Sequence, residues 1–257
     1  MAGICVVSDF HGVVCPCKDA EGIYKDLGNN LALDNALEVL DGNIVEAPRA
    51  LKVTLAGLAT LGALSLYRRN GMALRSLYKV LNFILVGEDV DHIEDIVEAY
   101  VGGYAGRLDG RVLDPVKRGR KDGLVKGTGI LSDGYQGEIE AALRMGGYPT
   151  LFQHIEARRM RTAGPLSGGL TNHIAGRKAE VLQSVFFDQW GFDPERTVYV
   201  GDDPKADGPI LGVIPPEHFI YPSMDGGKDS EAAEFFAGRG ATIARSEADY
   251  ELALRSV

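Results

Sequence analysis

The chain opens on an apolar run, Ile4-Cys5-Val6-Val7, that breaks at once into Ser8-Asp9-Phe10-His11-Gly12-Val13. A short apolar run ending in a glycine turn reads as a buried strand. Its carboxyl end then carries an acidic side chain, and in an open α/β sheet that edge is where ligands bind. The pattern recurs far along the chain, where Thr197-Val198-Tyr199-Val200 runs into Gly201-Asp202-Asp203, with Asp207 beyond. Two such strand ends side by side gather Asp9, Asp202, Asp203 and Asp207. Crowded carboxylates of this kind need a divalent cation or a lysine among them.

Between these two segments the periodicity changes twice. From about Asp19 to Glu98, apolar residues recur at steps of three and four, as in Leu51-Leu55-Leu58-Leu61 and Leu74-Leu77-Leu81, which predicts helices. A further helix runs through Ile93, Ile96, Val97 and Tyr100. The glycines at 102, 103, 106 and 110 and the basic run Lys117-Arg118-Gly119-Arg120-Lys121 predict a loop-rich return. After Lys126, short strands alternate with helices. Strands are expected over 129–132, 150–152, 198–200, 219–221 and 242–244. Helices are expected over 136–145, 178–190, 230–236 and 248–254. That alternation predicts an α/β fold, a parallel sheet with helices on both faces, with the helical block inserted after the first strand.

Composition excludes several function classes. A chain of 257 residues is long enough for one large domain or a domain plus an insert. The net charge of -9 argues against a general nucleic-acid binder, which needs a basic face. The 3 cysteines, Cys5, Cys15 and Cys17, all sit near the start. An odd count there does not resemble a disulfide framework and points to a reducing cytoplasm. Cys15-Pro16-Cys17 lacks the usual zinc spacing. No secretory signal pattern opens the chain. The uncharged stretch from Val53 to Tyr67 falls short of the roughly 20 residues that span a bilayer. It reads as a buried or interface helix, and a homodimer through it is one expectation.

Taken in order, four segments carry a resemblance: Asp9 after the first strand, Ser132 in Gly129-Ile130-Leu131-Ser132-Asp133-Gly134, Lys178 in Gly176-Arg177-Lys178-Ala179-Glu180, and Gly201-Asp202-Asp203 with Asp207. The set resembles the haloacid dehalogenase superfamily, and its layout is closest to phosphoserine-phosphatase-like members with an early helical cap. The resemblance implies a Rossmann-like core of residues 1–15 and 123–257, with a helical cap over 16–122. It implies a soluble phosphatase that uses Mg²⁺ and encloses a small phosphorylated metabolite.

By that resemblance Asp9 is the nucleophile that becomes an aspartyl phosphate. Mg²⁺ is held by Asp9, Asp202, water and the backbone carbonyl of His11, while Asp203 or Asp207, the latter preferred, anchors the metal's waters or its loop. Ser132 donates to a phosphoryl oxygen. Lys178 offsets negative charge, with Lys126 as a rival. The chain departs from the family pattern at His11, where phosphatases usually place a second Asp as general acid and base. Imidazole, with an ordinary pKa of ~6.5, is able to fill that role. The departure also keeps open a phosphotransferase, a dehalogenase or phosphonatase, and a degenerate protein with a binding role. The full acidic loop favours metal-dependent phosphoryl chemistry over dehalogenation. Arg158, Arg159 and Arg161, the basic run 117–121, Tyr67-Arg68-Arg69, His154, Asn172 and His173 are secondary candidates for substrate contact.

Overall fold

The computed structural model describes residues 3–15, 85–171, 174, 176–223 and 230–257. Its strands are β1 (Ile4–Ser8), β2 (Val125–Tyr135), β3 (His154–Arg158), β4 (Met160–Ala163), β5 (Leu166–Leu170), β6 (Thr197–Val200), β7 (Phe219–Pro222) and β8 (Thr242–Ala244). Six of them form one sheet in the order β3-β2-β1-β6-β7-β8, every pair parallel. β4 and β5 form a separate antiparallel hairpin that no periodicity in the sequence announced.

The apolar residues of the strands alternate between the sheet's two faces, as a period of two demands. Ile4 and Val6 of β1, Ile130 of β2, and Val198 and Val200 of β6 enter one hydrophobic cluster. Val7, Leu131 and Tyr199 enter the other, with Phe186, Phe219 and Phe236. Burial on both faces explains why these strands read as continuous apolar runs.

Helices cover both faces. On the first lie α1 (Val90–Gly102), α2 (Gly110–Lys121) and α3 (Gln136–Met145). Asp89 caps α1 by accepting from the Asp91 and His92 N–H groups. Ile93, Val97 and Val101 are fully buried there, each contributing about 1.5–3 kcal/mol. The loop-rich return expected over 102–121 is instead largely α2. Asp109 caps it, and Val112, Leu113 and Val116 give it a buried face that outweighs its glycines. The expected strand over 150–152 is a turn; β3 begins two residues later. The expected helix over 178–190 is a single turn, α4 (Lys178–Val181), followed by a π-helical turn over Leu182–Phe187. The C-terminal part adds α5 (Ser230–Ala237) and α6 (Glu247–Arg255).

Most of the range expected as a cap, residues 16–84, lies outside the described residues, as do Val53–Tyr67 and Tyr67-Arg68-Arg69. Within 85–122, α1 and α2 share the hydrophobic cluster of β1 and β2. Among the described residues no helix is long and apolar enough to cross a membrane. Cys5 is a free thiol, whereas Cys15 is disulfide-bonded, against the reading of the odd cysteine count.

The connectivity creates a crevice. From β1 the chain proceeds to β2 and β3 on one side, then returns to β6 on the other. The reversal falls between β1 and β6, at the strand ends where α/β sheets bind ligands. Ser8 pairs with Ile130 of β2 and with Val200 of β6. Asp9, Ser132 and Asp202, each one or two residues further on, therefore emerge at the same edge.

Candidate active site at the β1–β6 crevice

Asp9 leaves β1 with its N–H donating to the Val200 carbonyl at 2.8 Å, which locks the strand end to β6. Its Oδ1 accepts from the Phe10 N–H at 2.7 Å. Its Oδ2 accepts from the Lys178 ammonium at 2.5 Å. Lys178 begins α4, and its side chain is only 2% exposed. The same ammonium donates to Asp207 Oδ1 at 2.8 Å.

Asp207 is fully committed. Besides Lys178, its Oδ1 accepts from the Tyr199 hydroxyl at 2.9 Å. Its Oδ2 accepts from the N–H groups of Asp202 and Asp203 at 3.0 and 3.1 Å. Asp207 thus shapes the loop that presents Asp202. Asp202 in turn lies against Gly12. That glycine has φ +80°, and a Cβ placed on it would stand 2.1 Å from Asp202 Oδ2. Only a residue without Cβ lets the two loops close to this distance. Asp9, Asp202 and Asp207 each present an oxygen within 4.8 Å of the others.

Burial pushes the Asp9 carboxyl up to about 6, Lys178 pulling it down and Asp207 pushing it up. Asp202 is driven higher, to about 8, by burial and then by Asp9 and Asp207. Burial also raises Asp133, whose Oδ1 has no partner among the described residues. Burial alone would lower Lys178, but Asp207 and Asp9 overrule it and hold it well above the ordinary range. One ammonium faces several acids, and with Asp207 already committed, Asp9 and Asp202 are left as an unbalanced pair of hard oxygen donors. That is the donor set a divalent cation takes.

His11 sits at the other wall. Its Nε2 lies 3.1 Å from Glu138 Oε1 in α3. The Tyr104 hydroxyl donates to the same oxygen at 2.9 Å. Burial opposes a charge on the imidazole, but Glu138 and then Asp9 outweigh it and raise the His11 pKa. A Cβ on Gly134 would stand 2.5 Å from His11 Cε1, 3.0 Å from His11 Nδ1 and 3.5 Å from Ser132 Oγ, so the imidazole and the Ser132 hydroxyl both border Gly134. Ser132 Oγ accepts from the Gly134 N–H at 3.2 Å.

The remaining candidates fall elsewhere. Asp203 Oδ1 accepts from the Lys205 and Ala206 N–H groups at 2.7 and 3.4 Å, a turn cap outside the trio. Lys126 is exposed at the start of β2, the edge opposite Asp9. His154 stacks on Trp190 at 4.1 Å at the start of β3. Arg158 is wholly buried and donates to the Thr171 carbonyl at 2.9 Å. Arg159 pairs with Glu156 at 2.9 Å. Asn172 and His173 lie outside the described residues. Glu138, Tyr104 and Tyr199 were not singled out from the sequence. Glu138, in the first turn of a helix, looks like a routine dipole partner.

No protein-family model matches the chain, and no curated protein matches it in sequence. Solved structures do match its fold. A Bordetella pertussis Tohama I protein of unknown function aligns with TM-score 0.67 and 12% identity, over 95% of this chain and 99% of that one. A substrate-bound phosphoserine phosphatase aligns with TM-score 0.56 and 10% identity, over 96% and 95%. Cytosolic 5'-nucleotidase IIIB bound to cytidine aligns with TM-score 0.61 and 13% identity, over 98% and 84%. The chain shares the fold of these phosphatase and nucleotidase structures.

Proposed function

We propose that the chain is a Mg²⁺-dependent phosphomonoester hydrolase that acts on a small phosphorylated metabolite through a phosphorylated Asp9. The observation that carries this reading is the buried Asp9 carboxylate at the sheet's switch point, 2.5 Å from Lys178 and beside Asp202 and Asp207. Asp9, Asp202 and the backbone carbonyl of His11 would hold the cation, and Asp207 fixes the loop that presents Asp202. The bound cation supplies charge neutralisation for the phosphoryl group.

The chain's own groups do the rest. An Asp9 oxygen attacks phosphorus as the bond to the leaving oxygen breaks. Lys178 balances negative charge next to the attacking carboxylate, and Ser132 donates its hydroxyl to a phosphoryl oxygen. His11, held through Nε2 by Glu138, gives the Nδ1 proton to the leaving alkoxide. It then takes a proton from the water that attacks the phospho-Asp9 phosphorus. Phosphate leaves and the Asp9 carboxylate is restored.

The test is phosphate release from a panel of phosphate esters, with Mg²⁺ and with chelator. The expected result is Mg²⁺-dependent release, abolished by Asp9→Asn, with a phosphoryl mass trapped on Asp9. Release that survives Asp9→Asn, or no release and no phosphorylation with any ester, overturns the reading.

A further inference from the structure

The basic run that site chemistry leaves unused, Lys117 to Lys121, does not lie on an open helix face. Lys117, Arg120 and Lys121 line a cavity of about 330 Å³, closed on its far side by the Gly147–Leu151 turn. No carboxylate is among its lining residues, although the chain's net charge is -9. Arg118, on the other side of the helix, is spent on Glu247 and Glu251 at 2.7 and 2.9 Å.

The walls are held in place. Arg120 Nη1 donates to the carbonyls of Thr150 and Leu151 at 2.6 and 2.7 Å. Thr128 of β2 donates to that Leu151 carbonyl at 2.7 Å, tying the turn to the sheet. Lys117 Nζ stands 5.3 Å from the centre of the Tyr148 ring, whose hydroxyl donates to Asp114 at 3.0 Å. Lys117 and Lys121, one turn apart, are exposed, and neither forms an ion pair among the described residues. Like charges at that spacing destabilise a helix. The helix dipole favours cations in the last turn, but it does not require a concavity or an arginine clamping the opposite wall.

The pocket is also far from Asp9. It lies where α2 feeds into β2 and the turn feeds into β3, at the amino edge of the sheet. The run from Val125 to Ser132 separates the edges by roughly 23 Å at ~3.3 Å per residue.

We propose that this cavity is a second binding site, for a small multivalent oxyanion with two adjacent phosphate-like groups. Two point-charge ammoniums and one guanidinium with Nε and Nη2 still unused suit such a ligand. The volume, about 330 Å³, is at the low end of small-molecule pockets.

The probe is methylenediphosphonate, which has no P–O–P bond to cut, titrated by calorimetry into the full chain at low salt with chelator present. The expected result is one-to-one binding that weakens with salt, survives Asp9→Asn, and falls at least about tenfold in the Lys117→Gln, Lys121→Gln double variant. Both lysines are exposed, so the double variant keeps the wild-type melting temperature; if it does not, Lys121→Gln alone gives the same reading. No binding at millimolar probe, binding unchanged by the lysine substitutions, or binding lost in Asp9→Asn overturns the proposal. None of these outcomes touches the reading of the Asp9 site, which is judged by phosphate release.

Discussion

His11 Nε2 lies 3.1 Å from Glu138 Oε1, and that oxygen also receives the Tyr104 hydroxyl at 2.9 Å. Three segments, the loop after β1, the start of α3 and the stretch between α1 and α2, meet on one buried carboxylate. A buried carboxylate is tolerable only when it is paired and hydrogen-bonded. Here the pairing also fixes an imidazole through Nε2, so that Nδ1 is the nitrogen left for proton transfer. An acid–base role at His11 therefore rests on Glu138 as its positioning residue.

Glu138→Gln tests this. Gln keeps the shape but no longer favours the protonated ring. Esters with an alkyl leaving group need a proton at the departing oxygen, and kcat/KM for them, which ends at phosphorylation of Asp9, falls about 10²-fold. The p-nitrophenolate of p-nitrophenyl phosphate leaves unaided, and kcat/KM for that ester falls by less than about tenfold. Hydrolysis of phospho-Asp9, common to both esters, lies outside this comparison. Steady-state kinetics on the two substrate types gives the comparison; equal losses on both would show that Glu138 only supports the structure.

Asp202 carries a prediction about pH. Its carboxyl is raised from 3.8 to about 8 by burial and by the charges of Asp9 and Asp207. The unfolded chain releases this proton first, so the folded state binds more protons between those values. Without metal, the residue's contribution to stability declines as pH rises through that window. In chelator, Asp202→Asn should melt above wild type near pH 8, with the gap closing as pH falls toward the ordinary carboxylate range. Mg²⁺ should raise the melting temperature of wild type and leave the variant unmoved. A gap that widens on acidification would contradict the assignment.

The strand ends were legible because a parallel sheet forces its apolar runs and their carboxyl ends into line. Asp9 and Asp202 stand out once β1 and β6 are recognised as neighbours. Lys178 was legible only by its place in the order, since a lysine opening a helix usually faces solvent. Glu138 was not legible: it lies 127 residues from His11, and nothing local distinguishes it from a solvated acid. α2 was misread because Gly110, Pro115 and Gly119 weaken helix propensity, whereas its existence depends on packing against β2 and α6. β3 was displaced because Thr150-Leu151-Phe152 is apolar enough to imitate a strand, while Arg120 and Thr128 hold it as a turn.

Lys178→Met removes the one ammonium bonded to both Asp9 and Asp207. Breaking a buried pair by deleting one partner costs about 3–5 kcal/mol, because the remaining charge is stranded. The urea midpoint should fall accordingly and recover in part on acidification, beginning above the value of about 6 that Asp9 has with Lys178 in place, because Lys178 is what pulls that carboxyl down. Phosphate release should disappear at every pH. A midpoint unchanged at neutral pH would mean that the ammonium is not buried between the two acids.

Gly12→Ala separates backbone strain from site closure. At φ +80° an alanine is strained, and its Cβ would meet Asp202 Oδ2 at 2.1 Å, so the carboxylate must move away from the first loop. Gly123 has φ +75° but open space where a Cβ would go. Both alanine variants should therefore lose about 1–3 kcal/mol to strain. Only Gly12→Ala should also lose the rise in melting temperature on adding Mg²⁺, together with the Mg²⁺-dependent phosphate release. If Gly12→Ala keeps a wild-type response to the cation, the approach of Asp202 to the first loop is not what forms the site.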